Sequence, residues 1–103
     1  MGRGRTRTAT EFTLSGQLQS DAVQDWVCHR ARLLNLAGWV AQRDAGQITI
    51  VVAGPEPLIG AMEMACSLGP SDICVDRIDS RPVKLPVTVT GFRKRGFAGP
   101  DSD

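Results

Sequence analysis

One stretch in the middle of the chain constrains the fold more than any other. Gly38-Trp39-Val40-Ala41-Gln42 and Gln47-Ile48-Thr49-Ile50-Val51-Val52 are strand-like runs, the second rich in β-branched residues, and Arg43-Asp44-Ala45-Gly46 between them has the chemistry of a tight turn. The pattern predicts a β-hairpin with a helix on either side in sequence. Upstream, Val23, Val27, Ala31 and Leu34 recur at helical intervals with Trp26 beside them; Ser20 or Asp21 can cap this helix, and Asp21 and Gln24 have capping-box spacing. Downstream, Pro55 and Pro57 stand at a helix start, Leu58, Met62, Ala65 and Cys66 share one stripe, and Gly69-Pro70 ends it. Met62 and Met64 both read as core filler.

Phe12 and Leu14, two apart before Gly16, mark a strand ahead of the first helix, while residues 73–78 and 85–92 alternate like strands after the second. Pro82 and Pro86 make the segment between those two runs an edge or a connection. The order is therefore strand, helix, strand, strand, helix, strand. It predicts an α/β (α+β) fold of the ferredoxin-like, split β-α-β kind: a βαββαβ sandwich with an antiparallel sheet and two helices on one face. The domain is expected over residues 11–95. Residues 1–10, with Arg3, Arg5 and Arg7 and no acid, are expected to form a flexible basic tail, and residues 96–103 a flexible C-terminal one from which Phe97 can dock back.

Charge and composition exclude several function classes. Twelve Lys+Arg against eleven Asp+Glu leave a net charge of +1, so the chain as a whole has no field for nucleic acid or membrane. Phe12, Phe92, Phe97, Trp26 and Trp39 are its only aromatic residues, few for stacking bases, and Arg93-Lys94-Arg95 reads as a solubilising run. With no long apolar segment, a cytoplasmic protein without membrane contact is expected. Cys28, Cys66, Cys74 and the single His29 have no zinc spacing, so reduced, buried thiols are expected, with no metal and no cofactor. Asp25, His29 and Arg32 line one side of the first helix as a solvated face.

Leu34 and Leu36 before Gly38-Trp39-Val40, Asp44-x-Gly46, Gly54, Gly69-Pro70 before Val75 and Ile78, and Phe92-Arg93 together resemble the acylphosphatase family across about residues 11–95. In that family the loop from first strand to first helix reads Gly-x-Val-Gln-Gly-Val-x-Phe-Arg. Its amides and arginine cradle a phosphate, and an asparagine on the second strand orients the attacking water. The corresponding stretch here is Gly16-Gln17-Leu18-Gln19-Ser20-Asp21-Ala22-Val23-Gln24. Gln19 matches; Ser20 replaces a glycine, Asp21 a valine, Gln24 the arginine, and Gln42 falls at the asparagine.

A glutamine offers two neutral amide protons where an arginine offers a rigid, charged fork, and Asp21 places a carboxylate where phosphate would approach. The resemblance thus implies a scaffold whose acylphosphatase activity is absent or very weak. Gln17, Leu18, Gln19, Ser20, Asp21, Gln24 and Gln42 are expected to line a neutral polar pocket suited to an amide, a protonated carboxylic acid or a peptide segment, from an unidentified small molecule or protein partner. Two enzymatic readings stay open. In one, Asp21 acts as acid or base on a small organic substrate rather than as a helix cap; in the other, Arg30, Arg43 or Arg93 supplies the missing charge for weak acyl phosphate hydrolysis. The uncovered sheet face is a further place for a ligand, a partner or the mate of a homodimer.

Overall fold

The hairpin and both helices form where the sequence places them. The chain is described by a computed structural model over residues 6–16, 21–44, 46–68 and 75–97. Its elements are β1 (Thr6–Gly16), α1 (Asp21–Leu33), β2 (Ala37–Asp44), β3 (Gln47–Ala53), α2 (Glu56–Leu68), β4 (Val75–Pro86) and β5 (Phe92–Phe97). They build one sheet in the order β4-β1-β3-β2-β5. β3 runs antiparallel to both β1 and β2, so it fills the gap between the two strands that α1 connects. This is the split β-α-β arrangement of a ferredoxin-like sandwich.

Three expectations need correction. The sheet is mixed rather than antiparallel, because β5 pairs with β2 in parallel. Residues 6–10 are not tail: Thr6 and Arg7 pair with Pro86 and Leu85, and Thr10 pairs with both Pro82 and Val52. Residues 96–97 likewise belong to β5; residues 1–5 and 98–103 lie outside the described residues. Finally, 75–86 is one strand that continues through Pro82 and Pro86, and the chain then turns through 87–91 before β5. The prolines are tolerated because β4 pairs on one side only, and residues four apart direct their donor-less nitrogens to the same side of a strand. A proline edge also blocks further strand pairing.

Alternation along the strands sorts the side chains into two layers. Toward the helices, Phe12, Leu14, Val40, Ile48, Ile50, Val52 and Phe92 pack against Val23, Val27 and Ala31 of α1 and Met62 and Cys66 of α2. Full burial of each large side chain contributes about 1.5–3 kcal/mol, so this layer supplies most of the driving force. On the opposite face Ala9, Val51, Ala53 and Leu85 form a smaller cluster with Trp39, Val83 and Val89 against it. Met64, expected in the core, is instead 67% exposed on the outer side of α2.

Local chemistry fixes the ends of the helices. Asn35 adopts φ 59° just past α1, while the Leu36 amide donates to the Ala31 carbonyl and the Asn35 amide to that of Arg32. That pair of bonds is a Schellman motif, with asparagine serving where glycine is commoner. Pro55 starts α2 by offering its carbonyl to the amides of Leu58 and Ile59. Gly60, inside α2, has open space where a Cβ would stand. Gly60→Ala is therefore expected to stabilise the fold by about 1 kcal/mol, read as a shift in the urea midpoint at unchanged slope.

Cys28 and Cys66 are buried free thiols, as expected, and Cys74 lies outside the described residues. Burial, with a smaller push from Glu63, raises the Cys66 thiol from 9.0 to about 12, and burial also raises Cys28 against the pull of Arg32 and Lys94. The folded state thus holds the Cys66 proton more tightly than the unfolded chain does. Its contribution to stability is complete below pH 9.0 and is lost as pH rises toward about 12. Two results are expected: at neutral pH, alkylation of Cys66 proceeds only as fast as the protein opens, and Cys66→Ala flattens the alkaline loss of stability.

Candidate functional site

Gln24 and Gln42 meet on the helix-covered side of the sheet. Gln42 shares the face of Val40 on β2, and Gln24 lies one turn into α1 beside Val23 and Val27, which anchor the helix to that face. Gln24 is buried, at 6% exposure. Its Nε2 donates to Gln42 Oε1 at 3.2 Å.

A β-bulge explains what Gln42 does next. The β2–β3 register slips between Gln42 and Asp44, which pair with Ile48 and Gln47 and leave Arg43 as the extra residue. The Gln42 amide nitrogen donates to the carbonyls of Asp44 and Gln47, the latter at 3.3 Å. Two carbonyls on one side require the nitrogen there, which turns the Gln42 oxygen toward Gln24 and so requires the nitrogen of Gln24 in reply. Asp44 closes the turn itself, its Oδ1 accepting from the Gly46 amide at 3.0 Å.

The Gly16 amide donates to the Gly46 carbonyl at 2.9 Å, so the end of β1 is tied to the same turn. Gln17, Leu18, Gln19 and Ser20, which sequence reasoning placed in the pocket, lie outside the described residues, and Asp21 is known here as the first residue of α1. Of the three arginines expected as alternative sources of positive charge, two lie elsewhere and one is exposed beside Gln42. Arg30 lies over the Trp26 ring at 5.6 Å, and Arg43 is the exposed bulge residue. Arg93 pairs in register with Trp39, whose ring lies on the helix-free side.

Asp25, His29 and Arg32 are exposed, as expected of a solvated face. Two of them also seat α1 on β5: Asp25 Oδ1 pairs with Lys94 at 2.8 Å, and Arg32 Nε donates to the Phe92 carbonyl at 3.0 Å. Among the described residues there is no cluster of three or more metal-ligating side chains, and no helix is long and apolar enough to cross a membrane.

The profile of the acylphosphatase family matches residues 10–94. The chain belongs to the acylphosphatase family. An acylphosphatase of Acidiphilium cryptum is 42% identical over 62 residues, 60% of this chain and 68% of that one. One from Azorhizobium caulinodans is 32% identical over 82 residues, 80% of this chain and 88% of its own. Among solved structures, an acylphosphatase from Coxiella burnetii superposes with a TM-score of 0.79 at 25% identity, covering 85% of this chain and 92% of the other. Within this acylphosphatase fold the start of α1 and β2 lie together, which is why residues 18 positions apart, Gln24 and Gln42, come into contact. Sequence reasoning grouped the two glutamines but missed their bond to each other. It also missed the carbonyls of Asp44 and Gln47, which no side-chain pattern can signal.

Proposed function

We propose that this chain is a non-catalytic, acylphosphatase-like binding domain in which a neutral amide pair replaces the phosphate clamp. The hydrogen bond from Gln24 to Gln42 carries the reading. Gln42 uses both amide protons on the Asp44 and Gln47 carbonyls and its oxygen on Gln24. Among the described residues, Gln24 keeps one amide proton and its carbonyl oxygen for a ligand, a donor beside an acceptor.

A phosphoryl group carries spread negative charge and needs several charged or preorganised donors, so this pair offers it little. An amide, a neutral carboxylic acid or a peptide group carries one donor and one acceptor and complements Gln24 directly. Among the described residues no titratable side chain hydrogen-bonds to either glutamine, so the pair holds no group of its own to pass a proton.

Hydrolysis of acetyl phosphate by the purified protein tests the proposal. The expected rate is indistinguishable from the uncatalysed one, while acetamide shifts the Gln24 side-chain NH2 resonances in a saturable way. Robust turnover would refute it.

A further inference from the structure

A polar concavity lies on the helix-free face, across the sheet from the Gln24–Gln42 pair. A cavity of about 280 Å³ opens between β2, β5 and the 87–91 turn, and its walls include Trp39, Thr88, Thr90, Arg93 and Arg95. The volume is near the lower end of the roughly 300–1,000 Å³ range of small-molecule pockets.

Among the described residues the cations there are uncompensated. Arg95 lies over the Trp39 ring at 4.3 Å, which holds its guanidinium in place without neutralising it. Among the described residues neither Arg93 nor Arg95 has a carboxylate partner. The acids that alternation puts on this face are spent near its other edge, where Glu11 pairs with Arg81 at 2.6 Å and Asp79 with Arg77 at 2.9 Å. Arg7 adds a third cation from behind. It donates to the carbonyl of Val89, between the two threonines, and its Nε is buried without a partner among the described residues.

We infer that this cavity binds the phosphate group of a small molecule. Two guanidinium groups match the double charge of a phosphate, and the guanidinium forks with two threonine hydroxyls supply more donors than a carboxylate accepts. Stacking of Arg95 on Trp39 pre-orders one fork, and the bond from Arg7 to Val89 ties down the turn that carries Thr88 and Thr90. A single-stranded nucleic acid fits poorly, because the indole face a base would need is covered by Arg95.

The test is a 1H–15N titration of the full chain at constant ionic strength, with inorganic phosphate and glycerol 1-phosphate as separate probes and chloride as control. Trp39 reports on this site, and Trp26, on the helix side, is the reference. Saturable movement of the Trp39 indole and Arg95 Nε signals in the millimolar range, with Trp26 still, is expected. The tighter of the two probes separates a free ion from a phosphomonoester. Arg93→Gln, which leaves the Arg95–Trp39 contact intact, is expected to weaken binding by about tenfold, and Arg95→Gln by at least as much. Three results would overturn the inference: no saturable shift at Trp39, equal shifts with chloride, or unchanged affinity in both folded variants. Tighter binding of oligo-dT than of either phosphate probe would overturn it in favour of a nucleic-acid surface.

Discussion

The double variant Gln24→Arg, Gln42→Asn is expected to hydrolyse acetyl phosphate roughly a hundredfold or more faster than the parent chain. Removing one preorganised donor from a transition state costs about two to three decades in rate, and two such groups differ here. Neither single substitution is expected to recover much. Gln24→Arg alone leaves Gln42 holding its oxygen toward the new guanidinium; Gln42→Asn alone shortens the side chain by one methylene and leaves no charge to meet the phosphoryl oxygens. Groups that act as a unit are restored as a unit, so the gain should far exceed the sum of the single effects. Steady-state rates of all four proteins under saturating substrate decide the matter. If the double variant folds and remains at background, the two glutamines are not what silences the site, and the Gln17–Ser20 segment becomes the place to look.

Gly38→Ala is expected to abolish stable folding. Gly38 adopts φ +141°, and a Cβ there would sit 1.8 Å from the Val51 carbonyl oxygen and 2.8 Å from its carbon. Both atoms belong to the backbone of β3, which is buried on both faces, so neither can withdraw without opening the sheet. The cost is about 4 kcal/mol or more, comparable to the whole stability of many small domains. Gly91 is the control. At φ +71° with open space where its Cβ would stand, Gly91→Ala meets backbone strain alone, about 1–2 kcal/mol. Far-UV circular dichroism and urea denaturation of the two variants therefore separate a steric requirement from a conformational one. Similar, small losses in both would contradict the close approach at Gly38.

Much of this architecture is legible because periodicity is a local property. Val23, Val27 and Ala31 repeat at the helical interval whatever they pack against, and Ile48 to Val52 is β-branched enough to show strand character on its own. The elements that escaped are those whose structure depends on partners far away in sequence. Thr6, Thr8 and Thr10 alternate as strand residues do, but the basic, acid-free composition of residues 1–10 reads as tail, and their pairing is settled by Pro82–Pro86 alongside them. The continuity of β4 through two prolines is likewise a property of its position at an edge, and the parallel pairing of β5 depends on where the 87–91 turn returns the chain. At the site, the resemblance set Gln24 and Gln42 at the positions of the family's arginine and asparagine. The bond between them depends on the bulge at Arg43, and a bulge is a relation between two strands.

β1 lies inside the sheet, yet both strands that flank it come later in the chain: β3 across residues 47–52 and β4 across residues 75–86. α1 can cover Phe12 and Leu14 early, but neither strand that pairs with their backbone is a neighbour in sequence. The β2–β3 hairpin and α1 are the more local units, and β4, which pairs with β1 alone, can join the sheet only once β1 lies along β3. Closing such long loops carries an entropic cost before any contact repays it, which slows folding relative to a helical protein of this size. Until β1 docks, the apolar edge of β3 is unpaired, and any change that weakens the β1–β3 pairing prolongs that exposure.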